Sequence, residues 1–204
     1  DIVTFEVNYG IQNIAKKIDV MGAQEYAALV NEAYTNDKLT APYDAAKLAE
    51  IAQLGRGTDW QDEIYRSGKT QNYQLSFSGG DEKTSYAISS NYFDQQGIVI
   101  NSNFKRYSMR LNLDRKINDV FKVGTSLSVT HMINNAVATD AGGEGGVITG
   151  AMKMNPILPI YSNVVTGEYT QINTPGTLVP NPFATAKEQK FNNGTTRILG
   201  DLFG

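Results

Sequence analysis

The chain has 204 residues, 19% of them charged, and a net charge of −3, so it is long enough for one or two ordinary domains and offers no electrostatic reason to bind nucleic acid. It has no cysteine, which excludes a disulfide framework and a thiolate metal site and leaves the redox compartment open. No apolar run approaches the length of a membrane helix, although the negative mean hydropathy also suits strands that are polar on one side.

Side chains alternate from the first residues. Over 2–12, Val3, Phe5, Val7, Tyr9 and Ile11 fall on one side of an extended segment, and Thr4, Glu6, Asn8, Gly10 and Gln12 on the other. A long connection, 13–70, follows and is predicted to hold short helices. Tyr26, Leu29, Val30 and Ala33 recur at helical spacing, and Asp44 caps a second helix carrying Leu48, Ile51 and Leu54 before Gly55 stops it. Thr58 and Gln61 have capping-box spacing for a third, with Ile64 and Tyr65 on its apolar side.

Four further strands are expected over 71–78, 84–93, 105–115 and 120–131. Tyr73, Leu75 and Phe77 oppose Asn72, Gln74, Ser76 and Ser78; Tyr86, Ile88 and Tyr92 oppose Ser85, Ala87, Ser89 and Asn91. In the next strand Tyr107, Met109, Leu111 and Leu113 oppose Arg106, Ser108, Arg110, Asn112 and Asp114. In the last, Phe121, Val123, Leu127 and Val129 oppose Lys122, Gly124, Ser126, Ser128 and Thr130. Gly79-Gly80-Asp81-Glu82 and Lys116-Ile117-Asn118-Asp119 make tight turns between these strands. The connection 134–195 contains Gly142-Gly143-Glu144-Gly145-Gly146, then a helical turn through Val147, Ile148, Ala151 and Met152 that Asn155-Pro156 ends. Its proline-bearing remainder, including Pro175, reads as an irregular or mobile loop, and a sixth strand over 196–204 fits the alternation less well.

Alternation alone also suits a soluble sandwich with one wet face. The aromatic residues favour lipid. In an up-and-down arrangement Tyr9, Tyr73, Tyr92 and Tyr107 stand at one level and Phe77, Tyr86 and Phe121 at the other, with aliphatic side chains between them. About ten residues at roughly 3.3 Å, tilted by about 45°, span roughly 25 Å, the height of the apolar band of a membrane barrel. The two tight turns fall on one side and the connections 13–70, 94–105 and 134–195 on the other, the asymmetry of short periplasmic turns and long extracellular loops. The expected fold is therefore mainly β: an antiparallel transmembrane β-barrel segment, its first six or so strands, with short helices in extracellular loops. The other reading is a soluble or surface-exposed β module that binds glycan or host protein without transport. Small neutral residues such as Gln74, Ser76, Ser89, Asn112, Ser126 and Ser128 suit a filled barrel interior better than a wet outer face.

Nothing in the chain points to catalysis, a cofactor or a metal. His131 is the only histidine and ends an apolar strand face, where an interfacial ring is its ordinary role. There is no Ser-centred nucleophile elbow. Gly142–146 lacks the Lys-Ser/Thr of a phosphate loop. Asp59, Asp62 and Glu63 suit the first turn of a helix better than a calcium site. Asn193-Gly194-Thr195 matches a glycosylation acceptor but also a loop-to-strand turn. Candidate ligand-binding rings are Trp60, more ordinarily a packing residue, and Tyr161 and Tyr169 in the last loop.

The residues Gly57-Thr58-Asp59-Trp60-Gln61-Asp62-Glu63-Ile64-Tyr65, Gln71-Asn72-Tyr73, Ser78-Gly79-Gly80, Asn91-Tyr92-Phe93, Gly97-Ile98-Val99-Ile100 and Phe104-Lys105-Arg106-Tyr107 come in the order in which the SusC/RagA family of TonB-dependent outer-membrane transporters carries similar segments. Tyr9-Gly10-Ile11-Gln12-Asn13 and Ala23-Gln24-Glu25-Tyr26 also resemble that family just after its plug domain. The resemblance implies a bacterial outer-membrane location, a large barrel with an N-terminal plug in its lumen, and coupling to TonB. It also implies a SusD-like surface lipoprotein as lid, and import of oligosaccharides or peptides. Residues 1–204 would be part of the barrel domain, without the plug and the TonB-contacting region. Arg106 and Arg110, two positions apart in lumen parity, would pair with plug carboxylates, the preferred role, or line the substrate path. Six strands leave open edges that are costly in hydrocarbon, so the polypeptide is expected to continue on both sides.

Overall fold

The computed structural model describes residues 1–139, 145–171 and 180–204; Gly142-Gly143-Glu144 of the glycine run and Pro175 lie outside the described residues. In chain order the elements are β1 (Ile2–Gln12), α1 (Ala23–Asn36), α2 (Ala45–Gln53), α3 (Trp60–Ile64), β2 (Gly68–Gly80), β3 (Thr84–Gln96), β4 (Asn103–Lys116) and β5 (Lys122–Ala136). There follow α4 (Val147–Lys153), β6 (Tyr161–Asn163), β7 (Glu168–Tyr169), α5 (Pro182–Glu188) and β8 (Phe191–Phe203). They divide into a sheet unit, residues 1–13, 67–136 and 190–204, and a loop unit, residues 14–66 and 137–189.

The sheet unit is six antiparallel strands in the order β1-β2-β3-β4-β5-β8. Two tight turns set its register. At 81–83 the Asp81 carboxylate accepts from the amides of Lys83 and Thr84 (2.8 and 2.7 Å), which holds it below its usual carboxylate range. At 117–121 the Asn118 side chain accepts from the amides of Val120 and Phe121 (2.9 and 2.8 Å). The strands run beyond the limits that apolar alternation suggests. β2 begins at Gly68, β5 continues through Asn134 and Asn135, and β8 starts at Phe191 rather than 196. Asn193-Gly194-Thr195 consequently lies inside β8, opposite Asn134, Ile133 and Met132, and is not a loop turn. The backbone ladder continues here because its hydrogen bonds do not require apolar side chains, whereas a hydropathy pattern stops where the side chains become polar.

The loop unit is built around capped helices. Glu25 accepts from the Gly22 amide (3.1 Å) at the start of α1, and Asp44 accepts from the Lys47 amide (2.8 Å) at the start of α2. Gly55, at φ +62, follows the end of α2 in the left-handed conformation that a helix terminus asks of glycine. The cap of α3 is Asp59 and not Thr58. Asp59 accepts from the Gln61 and Asp62 amides (3.0 and 3.2 Å), while the Thr58 hydroxyl donates to the Leu158 carbonyl (2.7 Å).

That last bond belongs to a seam joining 14–66 to 137–189. The Thr58 amide donates to the Pro156 carbonyl (2.8 Å), and the Trp60 indole N–H to the Asn155 carbonyl (3.1 Å). Trp60, Ile64, Val147, Ala151, Pro182 and Ala186 are buried, and α3 packs with both α4 and α5. A second small core joins Ala23 and Ala27 of α1 to Ile51 of α2, with Tyr43 and Ile157 against it. Gly57 permits the close passage at Pro156. It has φ +76, and a Cβ there would lie 2.2 Å from the Pro156 carbonyl oxygen.

The described parts of 137–189 are ordered rather than irregular: β6 and β7 form a small hairpin, and Asn181 caps the start of α5. Asn181 is buried, and its amide is fully used. Its oxygen accepts from the Phe183 and Ala184 amides (both 3.1 Å), and its nitrogen donates to the Ile160 and Thr170 carbonyls (2.9 and 3.2 Å). Asn181→Ala removes a cap and takes the side-chain donor from the buried Thr170 carbonyl, while the Ile160 carbonyl keeps the Thr170 amide, a loss of about 1–3 kcal/mol. Hydrogen exchange of the full-length protein should show faster opening over 182–188, with Asn181→Asp, which keeps the cap, in between.

Candidate functional site

The sheet has two chemically different faces, and the strand register puts their side chains in rows. On one face Val7, Tyr73, Tyr92, Tyr107, His131 and Thr196 are successive cross-strand neighbours. Their rings make a continuous strip: Tyr73 stacks near Tyr92 (6.2 Å), Tyr92 lies 5.0 Å from Tyr107, and Tyr107 lies 6.5 Å from His131. His131 closes the strip by sharing a hydrogen bond between Nδ1 and the Thr196 hydroxyl (2.8 Å). The next two rows are Phe5, Leu75, Ser90, Met109, Val129, Ile198 and then Val3, Phe77, Ile88, Leu111, Leu127, Gly200. Tyr9 stands one step outside the aromatic row, opposite Gln71, and Phe121 falls just before β5.

Large side chains of this apolar face are open within the described sheet unit. Phe5 is 65% exposed, Met109 53% and Ile198 65%, and among the described residues the only other sheet is the small β6-β7 hairpin of the loop unit. Burying large side chains of this kind stabilises a protein by about 1.5–3 kcal/mol each, so a continuous face left open to water is a liability unless an apolar medium covers it.

The opposite face is polar. One of its rows runs Glu6, Gln74, Asn91, Ser108, Thr130 and Arg197. Arg106 and Arg110 flank Ser108 on β4 and share this face. Arg106 is held: its guanidinium lies 5.4 Å from the centre of the Phe93 ring and donates to the Asn91 side-chain oxygen (3.4 Å). Arg110 is exposed.

In the loop unit Tyr161 and Tyr169 stack at 5.2 Å, and Phe183 of α5 approaches both at 6.1 and 6.3 Å. The Tyr169 hydroxyl donates to Glu188 (3.0 Å), and burial followed by that bond pushes its pKa up. Sequence reasoning brought Tyr161 and Tyr169 forward but missed Phe183 and Glu188. Asn181-Pro182, a cap residue followed by proline at the first helical position, was the signal for the helix that carries them. Trp60 is 2% exposed and its N–H donates to the Asn155 carbonyl, so its ring packs within the loop unit.

Asp59 and Asp62 both face Lys17. Its ammonium pairs with Asp59 at 3.6 Å and hydrogen-bonds Asp62, which raises the lysine's pKa and lowers that of Asp62. A lowered carboxylate stabilises the fold at neutral pH and loses that contribution as the pH falls through its folded value, and here both groups are exposed enough to make the effect small. Among the described residues no group of three or more His, Cys, Asp or Glu is placed to hold a metal ion, and no helix is long and apolar enough to cross a membrane.

No protein-family model matches the chain. It is 39% identical over 191 residues to the TonB-dependent receptor P3 of Formosa agariphila, covering 91% of this chain and 17% of that protein. To the TonB-dependent receptor SusC of Bacteroides thetaiotaomicron it is 30% identical over 169 residues, covering 82% of this chain and 15% of SusC. A structure of the RagAB peptide transporter superposes on 98% of this chain and 26% of its own, with a TM-score of 0.72 at 22% identity. The same importer in a closed-closed state matches 89% of this chain and 23% of its own, with a TM-score of 0.64 at 26% identity. The chain thus spans about a sixth of the curated relatives' length and has the fold of a stretch of a TonB-dependent transporter barrel, its sheet not closed on itself. With residue matches across most of its length, the chain belongs to the SusC/RagA family of TonB-dependent receptors.

Proposed function

We propose that the chain contributes barrel wall and outer loops to an outer-membrane transporter that imports oligosaccharides or peptides, driven through TonB and working with a SusD-like surface lipoprotein. The observation that carries this reading is the uncovered apolar face with its aromatic row, backed by a polar face of Ser, Asn and Arg. Lipid on one side and a wet lumen on the other satisfy both faces, whereas a soluble module would leave the first exposed. In this arrangement Arg106 and Arg110 face the lumen, and the Tyr161, Tyr169 and Phe183 rings form a contact surface in the outer loops.

The test uses the full-length protein in its own cells. Deleting its gene should abolish growth on one class of defined glycan or peptide, and the protein should fractionate with the outer membrane and co-purify with a lipoprotein. Growth unchanged on every glycan and peptide supplied would refute the import reading. Loss of uptake that persists when both Tyr161 and Tyr169 are restored as alanines would assign those rings to the site; normal uptake by that double variant would remove them from it.

A further inference from the structure

We infer that Arg106, Arg110 and Arg197 form a binding site for carboxylate groups of a transported substrate, which narrows the substrate class proposed above to acidic oligosaccharides or acidic peptides. The three arginines line a hollow of about 580 Å3 in the polar face of the sheet, together with Asn91, Ser108 and Thr130. Their placement follows from register. Arg106 and Arg110 lie two residues either side of Ser108, so their Cα atoms are about 13 Å apart, and Arg197 sits on the Ser108 row two strand spacings away, about 10 Å. Ser108 and Thr130 fill the centre of this triangle with hydroxyls.

Among the described residues no carboxylate lines the hollow. Elsewhere in the sheet unit Asp94 pairs with Lys105 (3.9 Å), Asp114 with Lys122 (3.6 Å) and Asp119 with Lys116 (2.9 Å); Asp201 shares the face of Arg197 four residues along β8, about 13 Å away. Glu6 is on the Arg197 row but five strands away, roughly 24 Å. Arg106 is oriented by Phe93 and Asn91, yet its Nε is buried without an acceptor among the described residues. A guanidinium presents donors in a planar fork that fits a carboxylate, and three forks around hydroxyls match a polyhydroxylated or peptidic chain bearing more than one carboxylate.

The inference rests on the import reading and is tested separately from it. Full-length purified protein is titrated with two pairs of probes matched except for charge: oligogalacturonide against neutral galacto-oligosaccharide, and a glutamate-rich against a glutamine-rich peptide of equal length. The acidic member of at least one pair should bind more tightly, and Arg110→Gln with Arg197→Gln should weaken it by about tenfold or more while leaving the neutral member unchanged. Arg110→Lys with Arg197→Lys should recover part of the preference. Equal binding within both pairs overturns the inference and leaves import standing. So does an acid preference that survives the glutamine variant. Glutamine variants that conduct ions while keeping wild-type ligand preference would assign the arginines to a carboxylate of the receptor itself, again overturning it.

Discussion

Leu111→Arg in the full-length protein is expected to cut sharply the folded protein recovered from the outer membrane, while Asn112→Arg, one residue on, has a far smaller effect. Leu111 lies between Ile88 and Leu127 in a row of the apolar face, and Asn112 pairs with Ala87 and Ser126 on the polar face. A charged side chain facing lipid near the bilayer midplane costs about 2–4 kcal/mol, and the same charge in a wet lumen keeps its hydration. Neighbouring positions on one strand, with equal backbone pairing, therefore differ only in the medium their side chains meet. The comparison is read by outer-membrane abundance and by the urea midpoint of the refolded protein.

Trp60→Ala should have a comparably large effect confined to the loop unit. The indole is buried, its N–H holds the Asn155 carbonyl, and the neighbouring Thr58 holds Pro156 and Leu158. Removing a buried Trp ring costs about 3–5 kcal/mol where the surroundings cannot collapse into the space. Because α3 packs with α4 and α5, the loss should loosen both segments at once: limited proteolysis of the full-length protein should cut within 14–66 and within 137–189 faster than in wild type. Trp60→Phe should restore most of the resistance. Cleavage confined to one segment would show that Trp60 does not join them.

Local rules were legible wherever one residue type does one job. The alternation of Tyr73, Leu75 and Phe77 with Asn72, Gln74 and Ser76 gives the faces of β2 directly, and Asp44 and Gly55 mark the ends of α2. Thr58 misled because a hydroxyl able to cap a helix also serves a distant carbonyl, and only the folded seam decides between them. The joining of 14–66 to 137–189 was not legible at all, because contacts at separations of 95 and 100 residues leave no periodicity in the chain. Arg197 was overlooked for a related reason. Its strand fits alternation poorly, with Ile198 and Leu199 on successive positions, so its face became certain only from the pairing of Thr130 with Arg197.

The central claim, that one face meets lipid and the other water, is open to a direct measurement. The chain has no cysteine of its own, so single cysteines can be placed at 108 to 112 along β4 of the full-length protein and spin-labelled in the outer membrane. Accessibility to oxygen, which partitions into lipid, and to a water-soluble nickel chelate should then alternate with a period of two. Labels at 109 and 111 should be open to oxygen and shielded from nickel, and those at 108, 110 and 112 the reverse. Nickel access that is equal at all five positions, or higher at 109 and 111, would contradict the account.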